Sequence, residues 1–348
     1  MTTEEALIRR IRESVESVPK WNRHLLRGIG DDAAILDTFG GNLAVTTDML
    51  CDGIDFRCGK DSPEEIGRKS LAVNLSDLAA IGAIPLAVLF SVVFPLDAAE
   101  RIGSVAEFAE RFFDGMAPLV RRYSVAIAGG DTNAWHGAFA VSVTALGAVE
   151  PHRALLRSGA RPGDRVMITG RVGGSIFRRQ FRFFPRIVEA LYLARYHEIH
   201  AAIDISDGLE IDLSRLARES SVRARLEPDR VPIHPDALTP PRNAREFPGW
   251  KEEKTPLEHA LSDGEDFELI LAVPPAEAAR LVAEQPFSAA ARGEGPFRQR
   301  VEEICRKNAF SLSEEDIQNL GEVQLTDIGV FEEGVADVTE LGGWEYRF

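Results

Sequence analysis

The chain has 348 residues, with 40 Lys and Arg against 55 Asp and Glu, a formal charge of −15, 45% apolar residues and 27% charged ones. These proportions exclude disorder over most of the chain, and the length exceeds what one compact core holds, so two domains are expected. The acidic balance excludes non-specific nucleic-acid binding, which needs clustered cations, but permits phosphorylated ligands where cations mediate.

In chain order, Ile8, Ile11, Val15 and Val18 recur at helical spacing behind a Thr2/Glu5 capping box, predicting a short amphipathic helix. Glu4, Glu5, Arg9, Arg10 and Arg12 leave that segment without the apolar centre of a signal peptide. Short strands are predicted over 33–36 and 43–47. Ser62-Pro63-Glu64-Glu65 opens a helix expected to run to about Ile81. Residues 78–96 lack any charge, the length of a membrane span, but Gly82, Pro85 and Pro95 break it into a helix end, a turn and a core strand over 86–94. No membrane association is expected. A helix over 105–122 follows, then a short buried strand over 125–128 and a two-faced strand over 139–149. Beyond a turn-rich stretch at 158–164, strands are predicted over 165–169, 201–205 and 267–273. Helices are predicted over 186–195, over 209–218 and after Pro274-Pro275. Residues 287–320 read as a charged, irregular insertion with one amphipathic helix over 301–307. Alternation within the strands favours an α+β fold of mixed layers over a doubly wound parallel sheet. The division falls near 150, giving domains 1–150 and 151–348.

Three cysteines, Cys51, Cys58 and Cys305, with no C-x-x-C, exclude a disulfide scaffold and a structural zinc site and fit a reducing, cytoplasmic compartment. His197 and His200 have H-x-x-H spacing but no third ligand, and are expected at a surface or a helix end.

The informative feature is where the acids sit. Asp31 and Asp32 follow Gly28-Ile29-Gly30, Asp48 ends the strand in Thr46-Thr47-Asp48, and Asp77 follows Asn74-Leu75-Ser76. Asp131 follows Gly129-Gly130, Asp204 and Asp207 flank Ile205-Ser206, and Glu265 and Asp266 follow Gly264. An aspartate beside glycine is an ordinary turn residue, which accounts for any one of these loops. It does not account for Asp204, at the buried end of a strand, or for Asp77, on a helix between apolar neighbours; a carboxylate there is costly without compensation. Converging carboxylates repel, and hard oxygen ligands without a His or Cys cluster select Mg²⁺. Metal beside glycine-rich loops implies a polyphosphate, cradled in part by loop N–H groups. Gly67-Arg68-Lys69-Ser70 has the wrong spacing for a P-loop. Gly28-x-Gly30-x-x-Ala33 would face a pyrophosphate with two aspartates and leads into a strand, so a dinucleotide fingerprint is rejected.

GIGDDAAIL (28–36), TTDML (46–50), LAVNLSDLAAIGAIP (71–85), GGDT (129–132), LLRSGARPGD (155–164), AIDISDGL (202–209) and GEDFEL (264–269) occur in this order. Together they resemble the thiamine-monophosphate kinase family, of the aminoimidazole ribonucleotide synthetase and selenophosphate synthetase superfamily. The resemblance covers roughly residues 30–275. It implies ATP-dependent phosphorylation of thiamine monophosphate, an N-terminal antiparallel sheet at the core of a homodimer with flanking helices, and a C-terminal α/β domain with substrate contacts. By position it implies a Mg²⁺ shell of Asp32, Thr46, Thr47, Asp48, Asp77, Asp131, Asp204 and Asp207. It implies ATP contacts at Gly130, Asp131, Arg157 and Ser206, and a substrate contact at Glu265. No general base is implied, because the acceptor phosphate is already ionised. In three places the chain departs from the family pattern. Asp55 stands where the family has a substrate-binding His, the 174–185 stretch is compressed, and Trp344 is the candidate for the family's C-terminal substrate aromatic. Two other readings stay open: another ATP-using enzyme of the superfamily with a different acceptor, and a non-catalytic nucleotide-binding relative.

Overall fold

The computed structural model describes residues 25–27, 30–38, 41–241, 244 and 254–334; the helix expected before residue 20 and Trp344 lie outside them. A six-stranded sheet has the order β1-β2-β3-β6-β4-β5: β1 Leu25–Arg27, β2 Ala34–Asp37, β3 Asn42–Cys51, β4 Ile84–Pro95, β5 Ala126–Trp135 and β6 Ala140–Val149. Its pairs are antiparallel except β4 with β5, which run parallel because a helix, Val105–Tyr123, connects them. The expected antiparallel sheet thus carries one parallel edge.

Helix α1, Pro63–Ala80, opens with the predicted capping box of Ser62 and Glu65. It crosses α2, Val105–Tyr123, at backbone contact: a Cβ on Gly67 would lie 1.8 Å from the Phe112 carbonyl oxygen, and one on Gly115 1.9 Å from that of Glu64. Most of α1 is buried on every side, since the sheet, α2 and the C-terminal half all pack on it.

The second sheet is antiparallel, ordered β8-β10-β7-β11-β9: β7 Arg165–Thr169, β8 Ala201–Asp204, β9 Arg223–Leu226, β10 Leu269–Val273 and β11 Leu325–Glu332. Strands β8 and β10 are buried at every position, against the alternation expected, because helices cover both faces. One face carries α3 Ile187–Tyr196 and α6 Pro275–Glu284; the other carries α4 Leu209–Glu219 and α5 Pro256–Ser262.

Two further expectations are corrected. Residues 287–320, expected to be irregular apart from a helix over 301–307, form three packed helices, α7 Pro286–Ala291, α8 Gly295–Lys307, which contains the expected one, and α9 Glu314–Leu320. Phe287, Val301, Ile304 and Leu320 sit in the larger core, and Arg122 of α2 pairs with Asp316. The short buried strand at 125–128 is instead the ten-residue β5, exposed along its whole length. On the first sheet Met49, Leu86, Leu89, Ile127 and Trp135 are exposed apolar side chains. His197 stands at the C-terminal end of α3, one of the two places expected for it, with its side chain buried against Glu277 at 2.6 Å. Among the described residues no helix is long and apolar enough to cross a membrane.

Candidate active site

Between the two sheets lies a cavity of about 480 Å³. Helix α1 forms one wall: Lys69, Val73 and Asp77, at successive four-residue steps, all line it. Asp48 and Asp55 come from β3 and the turn after it, Asp204, Ser206 and Asp207 from the end of β8, and Glu265 from the loop before β10. Asp48 lies inside β3, opposite Val143, rather than at its end as expected.

At one end three carboxylates meet. Asp32, Asp77 and Asp204 each offer an oxygen within 4.8 Å of the others. Asp77 accepts from the Thr46 hydroxyl and Asp204 from that of Ser76, at 2.6 Å. Asp32 is held by both arms of Arg157, with Nη2 at 2.7 Å and Nε at 3.1 Å, and the Arg157 backbone N–H donates to Asp31 at 2.7 Å. Burial, then the neighbouring acids, raise Asp48, Asp77 and Asp204. Asp48 is pushed up to about 7 by burial, then by Asp55, Glu265 and Asp207. Asp77 is raised by burial, then by Asp48 and Asp204. Asp204 is raised by burial, then by Asp32. The cluster is short of positive charge, and its donors are all oxygen, the set a hard divalent cation takes.

Asp207 pairs with Arg215. Asp212, which sequence reasoning missed, lies one turn into α4 and accepts the N–H groups of Ser206, Asp207 and Gly208 at 3.0, 2.9 and 3.2 Å. Those amides, expected to cradle phosphate, are therefore taken by the protein's own carboxylate. The motif carried a signal for this: a fourth acid five residues after Asp207, at a spacing that returns it over the loop.

The other end is lined by Ile54, Phe56, Ile176, Phe181 and Phe267. Lys69 lies within 2.7 Å of Glu265 there. Asp55 turns its carboxylate back onto the Cys51 N–H at 2.6 Å, closing its own turn. Thr47 is exposed on the opposite side of β3 from Thr46, bonded to the Val143 carbonyl at 3.0 Å. Gly130 and Asp131 lie on exposed β5 and do not line the cavity. Gly130 is required by packing, since a Cβ there would meet the Phe90 carbonyl oxygen at 2.0 Å. Lys69, Asn74, Ser76, Asp212 and Arg215 are the organising residues that sequence reasoning did not single out. The arrangement suits a molecule that is anionic at one end and cationic or aromatic at the other.

The family described as AIR synthase related protein, N-terminal domain, matches residues 30–149. The chain is 41% identical over 260 residues to the thiamine-monophosphate kinase of Rhodopirellula baltica, covering 72% of this chain and 77% of that one. It is 35% identical over 269 residues to the thiamine-monophosphate kinase of Escherichia coli, covering 71% and 76%. A solved structure described as AaThiL complexed with AMPPCP and TMP superposes with a TM-score of 0.73 at 25% identity, over 99% of this chain and 97% of the other.

Proposed function

The chain belongs to the thiamine-monophosphate kinase family, and we propose on that premise how its cavity does the family's work. The reaction is ATP-dependent phosphorylation of thiamine monophosphate to thiamine diphosphate. Both partners are anionic where they must meet, so the protein's task is to neutralise and align them. The acceptor oxygen is ionised near neutral pH, so no side chain needs to act as a base.

Asp32, Thr46, Asp48, Asp77, Asp204 and Asp207 would hold several magnesium ions; Thr47, on the other side of β3, and Asp131, on exposed β5, join them in this proposal on the resemblance alone. The fit rests on the all-oxygen donors of Asp32, Asp77 and Asp204 and their mutual proximity. When bound, magnesium neutralises the facing phosphates and polarises the group in transfer. Arg157, now on Asp32, supplies a guanidinium beside that cluster for the nucleotide, with Ser206 at the cavity wall; Gly130 and Asp131, on exposed β5, are nucleotide contacts on the resemblance alone. Asp212 fixes the 206–208 loop. Glu265 and Asp55 face the thiamine moiety; Trp344 joins them in this proposal on the resemblance alone.

The proposal extends to domain roles: 1–150 for metal, nucleotide and dimer contacts, 151–348 for substrate contacts. A homodimer is supported by the exposed apolar side chains of the first sheet, which a second copy of the chain would cover. A cytoplasmic location is supported by three free cysteines. The observation that carries the reading is the meeting of Asp32, Asp77 and Asp204, from three distant segments, at one end of a cavity whose other end is apolar and carries Glu265. ADP release with thiamine monophosphate as acceptor tests it. Release that requires both the acceptor and Mg²⁺ is expected. Release only with a different acceptor would contradict the assignment.

A further inference from the structure

We propose that Lys69 is a positioning residue for the acceptor: its ammonium sets the Glu265 carboxylate and the closed end of the cavity against the ring system of thiamine monophosphate. The inference rests on the function proposed above.

Lys69 is 1% exposed, on a largely buried helix with Ile66, Ala72 and Val73 one turn away on either side. Its Nζ lies 2.7 Å from Glu265 Oε2, 2.8 Å from the Asp55 carbonyl oxygen and 2.5 Å from Gln180 Oε1. It also lies 5.3 Å from the centre of the Phe181 ring. Of the ammonium's three protons, two are donated to the Asp55 carbonyl and Gln180, and the Glu265 carboxylate is held beside it as an ion pair. These partners come from the turn after β3, the compressed 174–185 stretch and the loop before β10. One cation therefore gathers three segments that are remote in sequence.

Stability alone does not account for it. A buried ion pair is often no better than an apolar side chain of the same volume, and Met would fill this helix position. What the charge adds is orientation. Glu265 already has a fixed backbone, at φ +59°, with its N–H donating to the Ser206 carbonyl at 2.7 Å. Lys69 removes the freedom left in its side chain. The same helix then spaces the two ends of the substrate, since Lys69 and Asp77 are eight residues apart, about 12 Å at 1.5 Å per residue.

Lys69→Met and Lys69→Arg test this, with the KM for thiamine monophosphate and the KM for ATP measured separately on each. The Met variant is expected to raise the acceptor KM at least tenfold and leave the ATP KM within twofold, and Arg to recover part of the loss. Combined with Glu265→Gln, it should lose no more than the worse single change, because both act through one contact. Equal rises in both KM values, an unchanged acceptor KM, or fully additive losses would overturn the role. Should the Met variant fail to fold, the Arg variant is read alone: a selective rise in acceptor KM supports the proposal and none overturns it. If the wild-type protein releases no ADP with thiamine monophosphate, the underlying function fails; if it turns over normally while both Lys69 variants match it, only this inference fails.

Discussion

Asp48→Asn should make the metal-free protein more stable while destroying its activity. Unfolded, this carboxyl releases its proton near 3.8; folded, burial and the facing acids hold the proton up to about 7. The folded state therefore binds more protons across that window, so stability falls as pH rises from about 4 to 7, and the cost is fully present above 7. A rise of that size corresponds to about 4 kcal/mol. Asp48 is only half-buried at the cavity wall, so solvent screening brings this nearer to about 2 kcal/mol. Asparagine carries no charge and removes the penalty. At pH 8 without divalent cations, the variant should melt about 4 °C higher than wild type. At pH 3.5, below the unfolded value, the two should nearly coincide. Saturating Mg²⁺ should erase the advantage at pH 8, since the ion stabilises only the carboxylate form. kcat/KM should fall at least a hundredfold, about 2.7 kcal/mol of transition-state stabilisation. A variant that melts below wild type at pH 8 without metal would refute the claim of uncompensated negative charge.

Arg157→Ala leaves the buried Asp32 carboxylate without its guanidinium, so the metal-free protein should lose about 3 kcal/mol by denaturant titration, with part of the loss recovered on adding Mg²⁺. An unchanged midpoint would show the pair to be incidental. Phe287→Ala should cost about 3–5 kcal/mol in urea unfolding, because the ring is wholly buried in the main core; a near-neutral result would restore the view of 287–320 as a peripheral insertion. Ile127→Glu, on the exposed edge strand, should convert a dimer to monomer in sedimentation without lowering the melting point of the isolated fold. A species of unchanged mass would remove β5 from the interface.

The acid-bearing loops were legible because burial and charge conflict visibly in the chain. Asp204 stands between Ile203 and Ile205, and no apolar strand end hosts a carboxylate without a reason. The start of α1 was legible because Ser62, Pro63 and Glu65 each act locally. Lys69 was not, because its meaning depends on Gln180 and Glu265, more than a hundred residues away. The 287–320 region misled because Arg and Glu dominate its composition, while the few apolar side chains that anchor it are spread over three short helices. The uniformly buried strands misled because period-two alternation reports one wet face, and helices leave this sheet none. Strand β5 read as core because its apolar residues look the same in sequence whether or not the chain covers them.

The most direct test of the central claim is calorimetric titration of Mg²⁺, with a non-hydrolysable ATP analogue present, into wild type and Asp204→Asn. The variant should fold and melt normally yet bind the metal at least tenfold more weakly; equal affinity in the two proteins would mean that these carboxylates gather for some other reason than to hold a cation.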